Sequence, residues 1–193
     1  MILMYSTTKM ILLTGKPKSG KSRMLDKLRR SLSKQRKIRM NGIISSELQF
    51  KKQRIGIKMK DIKKKSEILM AVKTFKNNKY NMKSKQFGSY CVDVNALENV
   101  ALPVFDDLKG CNLLIIDEIG KMELLSNKFK KKIKTLFSTE QKFIILAIVP
   151  ISNDVPLVED LKKRSDTELI ELSENNREGV YRKIRKRIIN FVV

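Results

Sequence analysis

The chain has 193 residues, which suits one domain with a sizeable core, and 41% of these residues are hydrophobic. It carries 42 Lys and Arg against 20 Asp and Glu, for a formal net charge of +22, and it has no histidine. The absence of histidine excludes His-based acid–base catalysis, Ser-His-Asp triads and the usual zinc sites, so any metal must be held by oxygen ligands such as those that suit Mg²⁺.

The chain carries no signal for a membrane or an oxidising compartment. No apolar run approaches the ~18–20 residues of a membrane span. The N-terminal segment Met1–Thr8 has no basic region, and its apolar stretch is too short for a signal peptide. Cys91 and Cys111 form no C-x-x-C motif, so we interpret them as small buried thiols rather than as a disulfide. We therefore expect a cytoplasmic protein without a membrane segment.

The first predicted strand leads into a glycine-containing loop. Met10–Thr14 is a short apolar run typical of a buried strand. The residues that follow satisfy the pattern G-x-x-x-x-G-K-[ST]: Gly15, Lys16, Pro17, Lys18, Ser19, Gly20, Lys21 and Ser22. Apolar residues then recur at helical spacing from Met24 to Leu32. Strand, loop and helix are the context that the phosphate-binding P-loop (Walker A) requires, and they disfavour a chance match in a Lys- and Ser-rich chain.

Each residue type in this loop has a physical role in binding phosphate. Gly15 and Gly20 allow a tight turn and a close approach of the backbone to phosphate oxygens. Successive backbone N–H groups and the start of the next helix then face the anion. Lys21 is predicted to reach the β- and γ-phosphate oxygens, and the Ser22 hydroxyl is predicted to ligate Mg²⁺.

The middle of the chain predicts further strands. Arg39–Ser45 indicates a second strand. Phe50–Lys60 has alternating apolar residues and is predicted to pair with Glu67–Thr74 as an antiparallel hairpin, an insertion or edge extension of the sheet. After a loop marked by asparagines within 77–81, Ser89–Val94 suggests another strand.

The second half of the chain alternates strands with amphipathic helices. Asn95 is predicted to cap a helix that runs toward Asp107. A lysine-rich helix with one apolar stripe is predicted within Ser126–Phe137. Three strands and a last helix complete the pattern: Asn112–Asp117, Lys142–Val149, Glu168–Leu172 and the helix at about Ser173–Ile189. This alternation predicts an α/β fold over residues 1–193, a single domain whose mainly parallel sheet has helices on both faces.

The strand at Asn112–Asp117 ends in two acids. The residues Leu114, Ile115, Ile116, Asp117, Glu118, Ile119, Gly120 and Lys121 have the form of a Walker B segment. Asp117 is predicted to hold Mg²⁺ together with Ser22, while Glu118 acts with Lys21 in catalysis by orienting the attacking water as general base. Two solvated acids at a strand end are the alternative, which the upstream P-loop disfavours. The two motifs are expected to meet at the tips of neighbouring strands of a P-loop NTPase (RecA/ASCE-like) sheet.

The run from Asp117 to Leu124 resembles the signature of one P-loop family. That family comprises the small nucleoside-triphosphatases of thermophilic archaea and bacteria, whose animal relatives are called cancer-related nucleoside-triphosphatases. Other segments resemble the family in the same order: Gly42–Glu47 with Arg54 and Gly56, Gly88–Val94, and Asn176–Arg177. The resemblance covers nearly the whole chain and implies hydrolysis of ATP, GTP and other nucleoside triphosphates to diphosphates, with loose base preference.

The chain departs from the family at the P-loop and near its second strand. Lys18 stands where members usually carry glycine, Gln49 replaces an expected arginine, and Ile57 replaces an aromatic residue. Arg54 and Arg177 match family positions and are candidate accessory cations for transition-state charge, as is the nearby Lys121. A solvated surface cation is the alternative for each. Since no arginine finger is evident, we expect slow intrinsic turnover.

Two other functions fit the same motifs. A nucleotide or nucleoside kinase would use the same P-loop, and a nucleic-acid-stimulated ATPase would use the positive charge. The lysines between 128 and 134 instead form a solvated helix face, and the basic stretches lack interleaved aromatic residues. We therefore expect nucleoside triphosphates as ligands, without specific nucleic-acid binding. The sequence predicts no oligomeric state.

Overall fold

A mixed β-sheet forms the centre of the computed structural model, which describes residues 9–74, 84–138, 140–152 and 154–192. The segment 1–8 and the predicted loop at 77–81 lie outside these residues. Within them the strands are β1 Met10–Thr14, β2 Met40–Phe50, β3 Gln53–Asp61, β4 Glu67–Lys73, β5 Ser84–Phe87, β6 Tyr90–Asp93, β7 Leu113–Ile116, β8 Ile144–Ile148 and β9 Thr167–Glu171. The helices are α1 Lys21–Leu32, α2 Val94–Asp106, α3 Asn127–Ser138, α4 Pro156–Lys163 and α5 Arg177–Val192.

One half of the sheet is parallel and has the order β2-β7-β8-β1-β9. This half confirms the predicted α/β class. The expectation that the two motifs sit at neighbouring strand tips is wrong, because β8 lies between β1 and β7. Strand order depends on long-range pairing, and the local pattern of each apolar run says nothing about which run lies beside it.

The other half of the sheet is an antiparallel extension with the order β2-β3-β4-β6-β5. The predicted pairing of the third and fourth strands is confirmed, as is the prediction of an edge extension. The second strand, however, continues beyond Ser45 to Phe50 and turns at Lys51 and Lys52, both with positive φ (46° and 64°). Two lysines are an unusual choice for such a two-residue turn, where Asn-Gly is the usual signal.

Helices cover both faces of the parallel half, as predicted. Alternate residues of β1 point to opposite sides, so that Ile11 and Leu13 pack with α1 and α5 in one core cluster. Met10 and Leu12 pack with α2, α3 and α4 in the other. Of the helices in the described part of the chain, none has the length and apolar character needed to cross a membrane.

Two predicted helix starts are corrected by side-chain hydrogen bonds. The cap of α2 is Asp93 rather than Asn95, because its carboxylate accepts a hydrogen bond from the Ala96 backbone N–H at 2.9 Å. The last helix begins at Arg177 rather than near Ser173. Asn176 holds the preceding turn by accepting from the Ser173 N–H and donating to the Glu171 carbonyl, both at 2.9 Å.

Smaller features were missed or only partly predicted. The short strand β5 and the helix α4 had no clear sequence signal, since each is brief and only partly apolar. Cys91 and Cys111 are free thiols, as predicted, but both are half-buried rather than buried.

We predict that Gly42→Ala destabilises the fold strongly. Gly42 has φ 148°, and a Cβ at this position would lie 2.1 Å from the Ile115 carbonyl oxygen on the neighbouring strand. Relieving that overlap requires β2 and β7 to separate, at a cost of at least about 3 kcal/mol. Gly179→Ala is the control, because a Cβ there meets nothing within 4 Å in helix α5. It should raise stability by about 0.5–1 kcal/mol in urea unfolding, and similar losses in both variants would contradict the prediction.

Candidate active site

The two glycines of the P-loop adopt backbone conformations that other residues rarely adopt. Gly15 has φ 137°, and a Cβ there would lie 2.4 Å from the Leu172 carbonyl oxygen at the end of β9. Gly20 has φ 94° and immediately precedes α1, whose N-terminus has no side-chain cap. The first-turn N–H groups of α1 are therefore free of a protein side-chain acceptor, as an anion site requires.

Two buried hydroxyls point to a ligand at the same loop. Thr14 Oγ1 and Ser19 Oγ are buried and have no hydrogen-bond partner among the described residues. Buried polar atoms without partners are rare in folded proteins, because each loses the hydrogen bonds that it made to water. A phosphate group bound at this loop would supply acceptors for such hydroxyls.

Lys21 makes hydrogen bonds within the P-loop, whereas Ser22 connects this loop with the Walker B acids. The Lys21 ammonium donates hydrogen bonds to the carbonyls of Gly15 (2.7 Å) and Lys16 (3.0 Å). Ser22 Oγ donates to Asp117 Oδ1 at 3.1 Å, across a sequence separation of 95 residues. The two motifs thus meet as predicted, although the P-loop must reach past the end of β8 to bring them together.

Asp117 is buried and held on several sides. Its Oδ2 accepts from the Ser45 backbone N–H at 3.0 Å, and its carbonyl accepts from Ser45 Oγ at 3.3 Å. Burial raises the pKa of Asp117 to about 6, and the hydrogen bonds from Ser45 and Ser22 oppose this rise. Ser45 was not predicted as a site residue. Its place in the Gly42–Glu47 segment, which resembles the family, was the available signal.

Glu118 and Glu123 lie on either side of Gly120. A Cβ on Gly120 would be 2.8 Å from Glu118 Oε1 and 3.0 Å from Glu123 Oε2, so the two carboxyls approach each other closely. Glu118 has φ 89° and is exposed to the cleft. The protein wall around it raises the pKa of Glu118, and the charges of Lys21 and Arg54 lower it. The strained backbone directs this side chain into the cleft.

Glu123 is a buried acid that the sequence-based assignment of site residues missed. Its side chain accepts a hydrogen bond from the Gly120 N–H at 3.1 Å. Burial, followed by the negative charge of Glu118, raises the pKa of Glu123 to about 8. At neutral pH the Glu123 side chain is therefore mostly a neutral carboxylic acid. The only signal in the sequence was its membership of the Asp117–Leu124 run.

The candidate accessory cations separate into two groups. Arg177 Nε donates to the Ser19 carbonyl at 2.8 Å and Nη2 donates to Glu174 at 3.1 Å, so Arg177 braces the P-loop. Arg54 forms an ion pair with Glu47 at 3.5 Å and lies over the Tyr90 ring at 5.4 Å. Both arginines line the cleft. Lys121 instead pairs with Asp154 at the surface and is not among the residues that line the cleft.

These residues surround an open cleft of about 1400 Å³. The P-loop and Glu118 line it, and so do Arg54 from the antiparallel extension and Arg177 from the last helix. No group of three or more His, Cys, Asp or Glu converges into a metal cage in the described ranges of the chain. If only the oxygens of Ser22 and Asp117 bound a divalent cation, phosphate oxygens and water would fill most of its coordination positions. Mg²⁺ prefers this kind of coordination.

Comparison with known proteins agrees with this geometry. A family model described as NTPase matches residues 10–185. The chain belongs to the NTPase family. It is 33% identical over 175 residues to the nucleoside-triphosphatase THEP1 of Thermotoga maritima, covering 90% of this chain and 92% of the relative. The THEP1 protein of Methanosarcina barkeri is 28% identical over 178 residues, with coverage of 92% and 95%.

Two solved structures of the NTPase family share the fold. The crystal structure of THEP1 from Aquifex aeolicus has a TM-score of 0.75 at 29% identity and covers 91% of this chain and 96% of its own. The solution structure of a human cancer-related nucleoside triphosphatase has a TM-score of 0.77 at 26% identity, with coverage of 94% and 98%. The predicted family, its P-loop NTPase fold and its enzyme class are confirmed.

Lys18, which stands where the family resemblance led us to expect glycine, adopts a backbone conformation that favours glycine. It has φ 66° and its side chain is exposed. A non-glycine residue in this left-handed region costs about 1 kcal/mol or slightly more. The surrounding loop holds Lys18 in this conformation, so the substitution places a strained, positively charged residue on the rim of the cleft.

We predict that Glu123→Gln removes a large part of the pH dependence of stability. The pKa of Glu123 is about 8 in the folded chain and about 4.5 in an unfolded chain, so the folded state binds this proton more tightly. The resulting stabilisation is complete below about pH 4.5 and is lost as the pH rises to about 8. The wild type should lose on the order of 2–4 kcal/mol of unfolding free energy across this window that the variant keeps.

Urea unfolding from pH 5 to pH 9 checks this prediction. Both proteins retain Asp117, whose pKa is raised from 3.8 to about 6, so both lose a further amount of stability as the pH rises to about 6. This shared change serves as an internal control. Parallel stability curves for the two proteins above pH 6 would contradict the assignment of a neutral Glu123.

Proposed function

We propose that the chain is a Mg²⁺-dependent nucleoside-triphosphatase that releases phosphate from ATP, GTP and other nucleoside triphosphates. The observation that carries this proposal is the 3.1 Å contact between Ser22 Oγ and Asp117 Oδ1. It joins a loop suited to a triphosphate with a strand end that carries two acids. Membership of the NTPase family supports the same reaction.

The P-loop binds the phosphates. The free N–H groups at the start of α1 and the loop amides face the anion, and Ser19 Oγ is an additional donor. The Lys21 ammonium, which now donates to two loop carbonyls, moves a short distance to the β- and γ-phosphate oxygens. Ser22 and Asp117 would hold Mg²⁺, whose positive charge would offset the negative charge of the phosphates.

Glu118 directs the attacking water. Its carboxylate faces the cleft; burial raises the pKa of Glu118, while the positive charges of Lys21 and Arg54 lower it and so favour the ionised form that can accept a proton. Water is held by this carboxylate in line with the γ-phosphorus and attacks it while one proton passes to Glu118. The bond from the γ-phosphorus to the β,γ-bridging oxygen breaks, and the nucleoside diphosphate leaves.

Arg54 and Arg177 have different roles in this proposal. Arg177 is committed to the Ser19 carbonyl and to Glu174, so it maintains the loop in its binding conformation. Arg54 is held by a 3.5 Å ion pair with Glu47 and by its contact with the Tyr90 ring, and it can turn toward the γ-phosphate, where negative charge grows in the transition state.

We predict that Glu118→Gln retains nucleotide binding and loses phosphate release. The amide keeps the size of the side chain but cannot accept the proton, so kcat should fall at least about a hundredfold while the ATP dissociation constant changes less than about threefold. Steady-state phosphate release and equilibrium binding measure the two quantities. Glu140→Gln, an exposed position away from the cleft, is the control. Normal hydrolysis by Glu118→Gln would remove Glu118 from the mechanism.

Product separation decides between hydrolysis and the kinase alternative. With ATP alone the expected products are ADP and phosphate, and added nucleoside monophosphates should leave them unchanged. Transfer of the γ-phosphoryl group to an added monophosphate would favour a kinase. The absence of stimulation by nucleic acid and the cytoplasmic location stay predictions.

We predict slow turnover that depends on Arg54. With one weakly held arginine at the γ-phosphate side, kcat of the isolated chain should lie below about 1 s⁻¹, as in NTPases that act without a partner's arginine. Arg54→Ala should lower kcat at least about tenfold with a small change in KM, because the interaction strengthens in the transition state. Arg36→Ala, an exposed arginine in the turn after α1, is the control. Rapid turnover, or equal kcat in both variants, would contradict this prediction.

A further inference from the structure

The cleft continues past the P-loop into the groove between α1 and α5. Lys27 and Arg30 of α1 line this part, together with Glu178 and Tyr181 of α5. The Lys27 ammonium lies 4.1 Å from the centroid of the Tyr181 ring and 3.0 Å from Glu178 Oε2. We refer to Lys27, Glu178 and Tyr181 as the α1–α5 patch. None of the three has a role in the phosphate or metal chemistry described above.

The site gives a bound nucleotide a direction. Asp117 and Glu118 mark the γ-phosphate end, because the metal-binding and water-orienting groups act there. The nucleoside must therefore extend away from Glu118, past Gly20 and along the start of α1. Arg177 Nε lies 3.1 Å from the position of a Cβ on Gly20, which places the N-terminus of α5 beside this path. Tyr181 follows Arg177 by one helical turn.

We propose that the Tyr181 ring is the stacking surface for the nucleobase, with Lys27 and Glu178 at its edge. The inference rests on the proposed function, because the roles proposed for Asp117 and Glu118 define which end of the cleft holds the γ-phosphate. It adds the group that binds the nucleoside part of the substrate. The ligand class is a purine or pyrimidine nucleotide whose phosphates occupy the P-loop.

The surroundings of Tyr181 suit a stacking surface. The ring is half-buried and packs against the core cluster beneath α1 and α5, so its orientation is fixed before a ligand binds. Every nucleobase has a flat π-face that can stack on such a ring. A fixed ring loses little conformational freedom on binding, which favours affinity.

The groups that now cover the ring are easily displaced. The side chains of Lys27 and Glu178 are 55% and 62% exposed, and an ion pair between such exposed groups contributes little to stability. Contact of the Lys27 ammonium with the ring is also made in solvent, where such an interaction is weak. A base can therefore take the place of the Lys27 ammonium at small cost.

Binding of ADP and of inorganic pyrophosphate, both with Mg²⁺, tests this inference. The two ligands share a diphosphate and differ by the nucleoside, and neither is hydrolysed at the γ-position. Tyr181→Leu keeps an apolar side chain for packing but lacks the aromatic ring. It should weaken ADP binding about tenfold while pyrophosphate binding changes less than about twofold. Tyr181→Phe should bind both ligands as the wild type does.

A second readout uses the size of the base. Loss of the ring should weaken ADP more than CDP, because a purine stacks over a larger area than a pyrimidine. A purely structural role of Tyr181 would weaken ADP, CDP and pyrophosphate by the same factor, which would overturn the inference. Unchanged ADP binding in Tyr181→Leu would overturn it as well.

The proposed function fails by a different observation. If the wild type released no phosphate from ATP, hydrolysis would be rejected, while the ratio of ADP to pyrophosphate affinity would still report on Tyr181. Lys186→Ala is the matched control on α5, since Lys186 lies on the same helix outside the nucleotide cleft. Its ADP and pyrophosphate affinities should equal those of the wild type, and a selective loss of ADP binding there would count against Tyr181 as the stacking group.

Discussion

The contact between Ser22 and Asp117 is the constraint on which the site depends. Asp117 receives hydrogen bonds from Ser22 in the first turn of α1 and from Ser45 on β2, while its own position is set by β7. One helix and two strands thus converge on one buried carboxylate. Burial raises its pKa to about 6, and the hydrogen bonds that oppose this rise are the same bonds that fix its position. Geometry and ionisation at the proposed metal-binding position are therefore coupled.

Charge inside the cleft is arranged differently from charge on the surface. The chain as a whole has a formal net charge of +22, which attracts a triphosphate from solution. Within the site, the buried Glu123 is mostly neutral, while Glu118 lines the cleft and interacts with the charge of Lys21. The last helix adds Arg177 to the back of the loop. Different elements thus brace the P-loop and carry Glu118, the proposed proton acceptor.

The sequence predicted the two motifs of the site but missed other residues that contact them. The P-loop and the Asp117–Glu118 pair were predictable because each depends on adjacent residues with a fixed local geometry. Ser45 and Glu123 were missed, since a serine in a strand and a glutamate in a short apolar turn carry no signal of their own. The turn at Lys51 and Lys52 was missed for a related reason: its conformation is imposed by the pairing of β2 with β3 rather than by residues that favour it.

The sequence by itself determined the α/β class, the two phosphate- and metal-related motifs and the family, because these follow from periodicity and short contiguous patterns. Only the tertiary structure decided that β8 separates β1 from β7, that Arg177 braces the loop while Lys121 pairs with Asp154, and that Glu123 is buried beside Glu118. Each of these depends on contacts between residues far apart in the chain. Sheet order and burial set those contacts, and no local pattern encodes them.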